Sequence, residues 1–145
     1  KYDGLGSEFE VSVNKLINEL DLNDNVIMTG YVDDIESTIA ALDVLVHAAE
    51  KEPLGRVIIE SLLVETPVIG TLDGGIPEII DHEKTGLLVP VNDPTAISEA
   101  VVRYLANPEW AAKMACQGRK KAKEKFDADT ITAKEEHIYQ SIIYS

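Results

Sequence analysis

Residues 43–71 read DVLVHAAEKEPLGRVIIESLLVETPVIGT, and the order of elements within this stretch decides the fold. Residues 43–47 have an apolar centre that is typical of a short buried strand. Residues 55–65 are apolar nearly all round, which predicts a helix packed between other elements rather than one on the surface. The Thr66-Pro67 pair ends that helix, and residues 68–71 predict a second strand. Two buried strands joined by a helix indicate a parallel pair with a crossover connection.

The same alternation of helices and strands extends on both sides of this stretch. Apolar residues at helical spacing, capping residues and short β-favouring runs predict the remaining elements. They are a helix over 8–20, a strand over 25–29, a helix opened by Asp33-Asp34, a strand over 87–89, a helix capped by Asp93, a helix starting at Asn107-Pro108 and a helix over 128–144. Together they predict an α/β fold with a doubly wound parallel sheet flanked by helices. Because ligands of such sheets bind beyond the carboxyl ends of the strands, we expect the chemistry in the loops there.

The composition excludes several classes of function. The chain has 145 residues, of which 45 % are hydrophobic, and a mean hydropathy of −0.04, which is typical of one folded domain. Its 13 Lys and Arg against 26 Asp and Glu give a net charge of −13, which opposes binding to nucleic acid. Its longest apolar runs, of four or five residues, are far shorter than the roughly 20 that span a bilayer. The single cysteine, Cys116, fits a reducing compartment, and we expect a cytoplasmic protein.

Two carboxylates lie in and just after the loop that joins the strand predicted over 43–47 to the helix predicted over 55–65. Glu52 lies in the loop and Glu60 in the early turns of the helix, while Gly55 lets a ligand approach the backbone. The N–H groups of Gly55, Arg56 and Val57 form a positive helix end suited to phosphate. An ionised Glu only accepts hydrogen bonds and therefore pairs well with a vicinal diol, so the pattern favours a sugar nucleotide. The alternative is structural, with Glu52 as a partner of the helix dipole and Glu60 facing solvent.

Two further motifs follow the paired carboxylates. Residues 66–78 read TPVIGTLDGGIPE, and residues 85–89 read TGLLV. In this order and spacing, the three motifs resemble the carboxyl-terminal half of retaining glycosyltransferases with the GT-B fold, glycosyltransferase family 4. The resemblance covers about residues 3–126. It implies a Rossmann-like domain that binds a nucleotide sugar.

The resemblance also implies a role for each motif residue. Glu52 would contact hydroxyls of the donor sugar and serve catalysis, and Glu60 would bind the ribose. The backbone around Gly55 would contact the sugar and the diphosphate, and the loop at residues 30–32 would line the base pocket. The Asp73-Gly74-Gly75 turn fits either donor binding or a plain left-handed turn. The implied donor-binding set is Glu52, Leu54, Gly55, Arg56, Val57, Glu60, Gly30, Tyr31, Val32, Gly74 and Gly75.

By the same resemblance, the domain over residues 1–126 lacks its first strands. The strand over 25–29 would then lack its neighbours, and the strand over 43–47 would have one bare side. The helix over 127–145 would pack on a partner domain absent from this chain. The acceptor site and the basic residues that neutralise the donor diphosphate would precede Lys1, so the chain alone would be inactive. We expect another copy or segment to complete the sheet by oligomerisation or strand exchange. No cofactor or metal is expected, because Asp33-Asp34 is better explained as a helix cap than as a metal motif. A nucleotide-sugar epimerase and a non-catalytic nucleotide-sugar binding or assembly module are the alternatives.

Three features of the sequence each fit two interpretations. His47, at the end of a strand, either contacts phosphate or is a packed, hydrogen-bonded histidine. Arg56 either lies near the diphosphate or points to solvent. A basic cluster fits either a solvated face or peripheral contact with an anionic membrane. Its members are Arg119, Lys120, Lys121, Lys123 and Lys125.

Overall fold

The computed structural model describes residues 6–143, which form two compact units. The first unit ends at Asp33 and the second begins at Asp34. Helix α1 (Gly6–Glu19) occupies the first unit and confirms the helix predicted over 8–20, with its bounds shifted by one or two residues. Residues 20–33 of this unit consist of turns and irregular chain.

The strand predicted over residues 25–29 is wrong. All five residues are exposed, and the side chain of Ile27 keeps 86 % of its accessible surface. The N–H groups of Asn25 and Val26 instead donate to the carbonyl of Leu22, at 2.9 and 3.0 Å, in a turn. A strand needs a hydrogen-bonded neighbour, and within residues 6–143 nothing pairs with this segment.

The second unit is built on a parallel sheet of three strands. They are β1 (Leu45–His47), β2 (Val68–Thr71) and β3 (Leu87–Val89), in the order β1-β2-β3. Leu45 pairs with Val68, and Ile69 pairs with Leu87. The three strands confirm the sequence predictions for this part of the chain.

The second unit contains six helices within the described residues. They are α2 (Ile35–Ala40), α3 (Arg56–Leu63), α4 (Ile76–Ile79), α5 (Pro94–Ala106), α6 (Pro108–Phe126) and α7 (Ala128–Ile143). The single turn of α4 was not predicted, and Tyr144 lies outside the described residues. Both predicted caps are confirmed: Asp34 accepts from the N–H of Ser37 at 3.0 Å, and Asp93 accepts from that of Ala96 at 2.9 Å.

The core lies on both faces of the central strand. All residues of β2 are buried, and the neighbours Val68 and Ile69 join different apolar clusters because successive strand side chains point to opposite faces. One cluster contains Ile58, Leu62, Val68, Ile76, Ile79, Ile80 and Ala122, and the other contains Ile69, Leu87, Val89, Ala100, Tyr104, Ala111 and Met114. A parallel sheet covered on both faces is the doubly wound class, so the predicted fold is confirmed.

Helix α3 is sandwiched as predicted. Ile58 and Leu62 are fully buried, and only Arg56 and Leu63 of this helix are exposed. Helix α6 packs closely on it because Gly118 has no side chain: a Cβ there would lie 2.5 Å from Cδ2 of Leu62. Glu60, the second carboxylate, lies on helix α3.

Strand β1 departs from the prediction of burial on both faces. Val46 keeps 40 % of its surface, and β1 pairs only with β2 among the described residues. The bare side expected for this strand is confirmed. Within residues 6–143, none of the helices is long and apolar enough to cross a membrane.

Candidate functional site

The loops that follow β1 and β2 are hydrogen-bonded to each other at the carboxyl edge of the sheet. The hydroxyl of Thr71 donates to the carbonyl of Ala49. The N–H of Lys51 donates to Oδ2 of Asp73 at 2.7 Å. Parallel strands end at the same edge, so these loops frame the position where such sheets bind ligands. A cleft of about 300 Å³ opens there, lined by Ala48, Thr71, Asn92, Asp93, Pro94 and Ile97.

The carboxylate of Glu52 folds back onto its own loop. Its Oε1 accepts from the N–H of Gly55 at 2.9 Å and from that of Leu54 at 3.3 Å. These two backbone donors, Gly55 first, hold the pKa of Glu52 below its usual range. Glu52 is therefore an ionised acceptor at the start of α3, as the structural alternative required, and its side chain is still 27 % exposed.

His47 faces the other oxygen of the same carboxylate. Its Nε2 lies 3.4 Å from Oε2 of Glu52, and 21 % of the His47 side chain is exposed. Nε2 itself is buried and makes no hydrogen bond, because the contact does not meet hydrogen-bond geometry. The structure thus brings His47 to Glu52 as a close, unbonded neighbour.

Gly74 and Gly75 let two backbone segments touch. Gly74 has a φ of +56°, so the left-handed turn foreseen from the sequence is confirmed. A Cβ on Gly74 would lie 2.3 Å from the carbonyl oxygen of Glu52, and one on Gly75 would lie 2.3 Å from that of Pro53. The N–H of Gly75 also donates to the carbonyl of Glu52 at 2.8 Å. This pair of glycines therefore buttresses the Glu52 loop.

Two anchors of this arrangement were missed from the sequence. Thr71 and Asp73 bind the backbone of the loop at Ala49 and Lys51. The N–H groups of Lys51, the larger cause, and Gly74 hold the pKa of Asp73 below its usual range. The available signal was a Thr and an Asp at the end of a buried strand, directly before two glycines.

The start of α3 corrects one expectation. Gly55 caps the helix with a φ of +72°, but its N–H is used by Glu52 and is not open to a ligand. The N–H groups of Arg56 and Val57 have no hydrogen-bond partner among the described residues, as the first turn of a helix dictates. They form the positive helix end that the sequence predicted.

Arg56 and Glu60 pair with each other on the outer face of α3. Nη2 of Arg56 lies 3.1 Å from Oε1 of Glu60, and 82 % of the arginine side chain is exposed. This geometry matches the solvent-facing alternative for Arg56. It leaves Oε2 of Glu60 without a donor from the described residues.

The remaining predicted site residues lie in the first unit. Gly30 has a φ of +64°, Tyr31 is exposed and Val32 is half-buried. A Cβ at Gly30 would meet nothing within 4 Å, so its backbone angle is the reason for glycine there. Their part in a base pocket stays a prediction.

Three of the five side chains of the basic cluster on α6 form ion pairs or hydrogen bonds within the protein. Arg119 pairs with Glu65 at 2.7 Å, Lys121 pairs with Asp81 at 2.9 Å, and Lys125 donates to the carbonyl of Glu78 at 2.9 Å. Lys120 and Lys123 are exposed. This arrangement favours a solvated face. No group of three or more His, Cys, Asp or Glu within residues 6–143 is arranged to hold a metal ion, and a metal-free reaction stays a prediction.

The parallel half-sheet flanked by helices superposes on GT-B glycosyltransferases of known structure. The family model for glycosyl transferases group 1 matches residues 4–121, and the chain belongs to this family. The resemblance seen in the sequence is thereby confirmed. It extends over both units of the structure.

Individual relatives agree with this assignment. The chain is 32 % identical over 140 residues to N-acetyl-alpha-D-glucosaminyl L-malate synthase of Bacillus anthracis, covering 97 % of the chain and 36 % of the relative. Anabaena HepE in complex with UDP superposes with a TM-score of 0.91 at 26 % identity, over 94 % of this chain and 38 % of that one. Sucrose-phosphate synthase of Thermosynechococcus elongatus gives 0.90 at 29 % identity, over 99 % and 37 %. The chain thus spans little more than a third of the length of these proteins.

Proposed function

We propose that this chain is the nucleotide-sugar-binding part of a longer glycosyltransferase, which moves a hexosyl group from a nucleoside diphosphate to an acceptor with retention of configuration. The observation that carries the proposal is the start of α3. There the open N–H groups of Arg56 and Val57 follow directly on the Glu52 loop. Family membership supports glycosyl transfer, and the UDP complex of Anabaena HepE supports a nucleotide donor.

In this proposal each carboxylate contacts a different part of the nucleotide sugar. Glu52 accepts from hydroxyls of the sugar and so positions the reacting carbon, which is the catalytic part of its role. Oε2 of Glu60 accepts from the ribose. The N–H groups of Arg56 and Val57 hold the diphosphate, with the backbone of residues 54–55 beside it.

The proposed reaction exchanges one bond at the anomeric carbon of the sugar. The bond from the sugar's anomeric carbon to the diphosphate oxygen breaks, and a bond to the acceptor oxygen forms on the same face. The acceptor proton leaves with the diphosphate. Because negative charge grows on the departing diphosphate, N–H groups at a helix start stabilise the transition state.

Residues 1–126 are the donor domain, and the segment 127–145, which carries α7, meets a partner domain that supplies the acceptor site. The base is read by the loop at residues 30–32, no metal is required, and the protein is cytoplasmic, with peripheral membrane contact as a further prediction. Completion of the sheet by another segment or copy is predicted as well.

Calorimetric titration of the chain with UDP, GDP, ADP and their hexose conjugates tests the proposal. We expect one nucleotide series to bind, Glu60→Gln to weaken both the nucleotide and its conjugate, and Glu52→Gln to weaken only the conjugate. Glu124→Gln, on the exposed face of α6, is the matched control for loss of one negative charge and is expected to change neither. The proposal is contradicted if the chain binds no nucleotide, or if Glu52→Gln and Glu60→Gln both bind with the affinity of the wild type. An assembly module predicts that second result.

A further inference from the structure

A buried histidine nitrogen beside Glu52 lacks a hydrogen bond. Nε2 of His47 is the one buried side-chain nitrogen or oxygen without a hydrogen-bond partner in the part of the chain that the structure describes. Buried polar atoms are almost always bonded, and an exception calls for a reason. At 3.4 Å, Oε2 of Glu52 is the charged atom next to it.

The other charged groups of this loop are directed elsewhere. Glu50 and Lys51 are exposed and lie 4.0 Å from each other. The carboxylate of Asp73 is engaged by the backbone of Lys51. Among the described residues, Glu52 is thus the only acid within ion-pair distance of His47.

The two oxygens of Glu52 are not equivalent. A carboxylate oxygen accepts about two hydrogen bonds, and Oε1 already has two, from the N–H groups of Leu54 and Gly55. Oε2 faces His47 and has room for a second donor. A hydroxyl that approaches Glu52 therefore meets Oε2.

The geometry points to His47 as a positioning residue: its Nε2–H fixes the direction of Oε2 of Glu52, so that this oxygen accepts from a hydroxyl of the donor sugar. The inference rests on the proposed function of Glu52. At 3.4 Å the contact is longer than an ordinary N–H···O hydrogen bond, and we expect it to shorten when a donor sugar binds. The backbone of His47 is held in the sheet, where it pairs with Gly70 of β2, and Glu52 lies in the loop that follows β1.

The first test needs no ligand and no variant. Nitrogen-15 spectra of the imidazole in the wild-type chain report which ring nitrogen carries the proton. We expect a proton on Nε2 of His47. A neutral ring protonated only on Nδ1 overturns the inference, because it would turn a lone pair toward the carboxylate.

The second test compares two substitutions of similar length. His47→Gln keeps an N–H donor near the position of Nε2, and His47→Met fills similar space without one. The wild type is titrated with two pairs of probes, UDP-glucose with UDP and GDP-mannose with GDP. The pair that it binds is then used for both variants. We expect His47→Met to weaken the nucleotide sugar about tenfold and the free diphosphate less than about twofold, and His47→Gln to recover most of the loss.

The outcomes separate this inference from the proposed function. A wild-type chain that binds neither nucleotide overturns both. A wild-type chain that binds, with His47→Met equal to it, overturns only the role of His47. Equal weakening of the sugar conjugate and the diphosphate, or equal behaviour of the two variants, also overturns that role, because a merely structural histidine predicts it.

Discussion

Replacing Gly75 by alanine is expected to displace the Glu52 loop. The added Cβ would lie 2.3 Å from the carbonyl oxygen of Pro53 and 3.1 Å from its carbon. Both atoms belong to backbone and have no rotamer by which to move aside. Relief requires a shift of the loop by about 1 Å, judged from ordinary non-bonded separations.

The magnitude follows from three effects. Gly75 has a φ of −83° and a ψ of −8°, which alanine adopts readily, so the backbone change alone would stabilise the protein by about 0.4–1 kcal/mol. Overpacking costs about 1–3 kcal/mol. The 2.8 Å hydrogen bond from the N–H of Gly75 to the carbonyl of Glu52 would be weakened, at about 1 kcal/mol. We expect a net loss of about 1–3 kcal/mol in the free energy of unfolding.

Urea denaturation gives the stability, and calorimetry gives the affinity for the nucleotide sugar. Gly118→Ala is the matched control, because its Cβ would lie 2.5 Å from Cδ2 of Leu62 and 3.1 Å from the carbonyl oxygen of Thr85, and none of its nearest neighbours belongs to the Glu52 loop. Both variants should lose stability, but only Gly75→Ala should lose affinity for the nucleotide sugar, by more than about tenfold. Unchanged stability and affinity in Gly75→Ala would refute the reasoning that this contact holds the loop.

Three further predictions concern the core and the carboxylate. Leu62→Ala should lower the free energy of unfolding, measured by urea denaturation, by about 2–5 kcal/mol, because this side chain of α3 is fully buried against α6. A loss below this range would mean that the two helices move together and fill the cavity. Tyr104 is buried, which raises the pKa of its hydroxyl, and this hydroxyl donates to the carbonyl of Val68 at 3.1 Å. Tyr104→Phe should cost about 1–2 kcal/mol in the same assay, and no cost would contradict that bond. The pKa of Glu52 is lower in the folded protein than its ordinary 4.5, so the stabilisation from its ionised carboxylate is complete above pH 4.5 and is lost as the pH falls through the lowered pKa. The difference in melting temperature between wild type and Glu52→Gln should therefore shrink below pH 4.5. A constant difference would be inconsistent with the hydrogen bonds from the backbone to Glu52.

Local patterns predicted most of the second unit. Strands at residues 45–47 and 68–71 followed from short apolar runs, and the caps at Asp34 and Asp93 followed from residue type and position. These features depend on neighbours in the sequence. The pair of Arg56 and Glu60 could have been found in the same way from its i,i+4 spacing.

Features that depend on distant segments could not be predicted. Residues 25–29 favour a strand, but a strand also needs a partner, and their composition says nothing about one. The roles of Gly74 and Gly75 depend on where the carbonyls of Glu52 and Pro53 lie, some twenty residues earlier in the chain. The contact between His47 and Glu52 likewise depends on the path of the loop and not on spacing.

Chemical-shift mapping tests the central claim, that a nucleotide sugar binds at the start of α3, most directly. A nitrogen-15-labelled chain would be titrated with the nucleotide sugar that it binds. We predict the largest amide shifts at Arg56 and Val57, with little change at Val68, where β2 begins at the opposite edge of the sheet. Shifts concentrated at that opposite edge, or none at residues 54–57, would contradict the account.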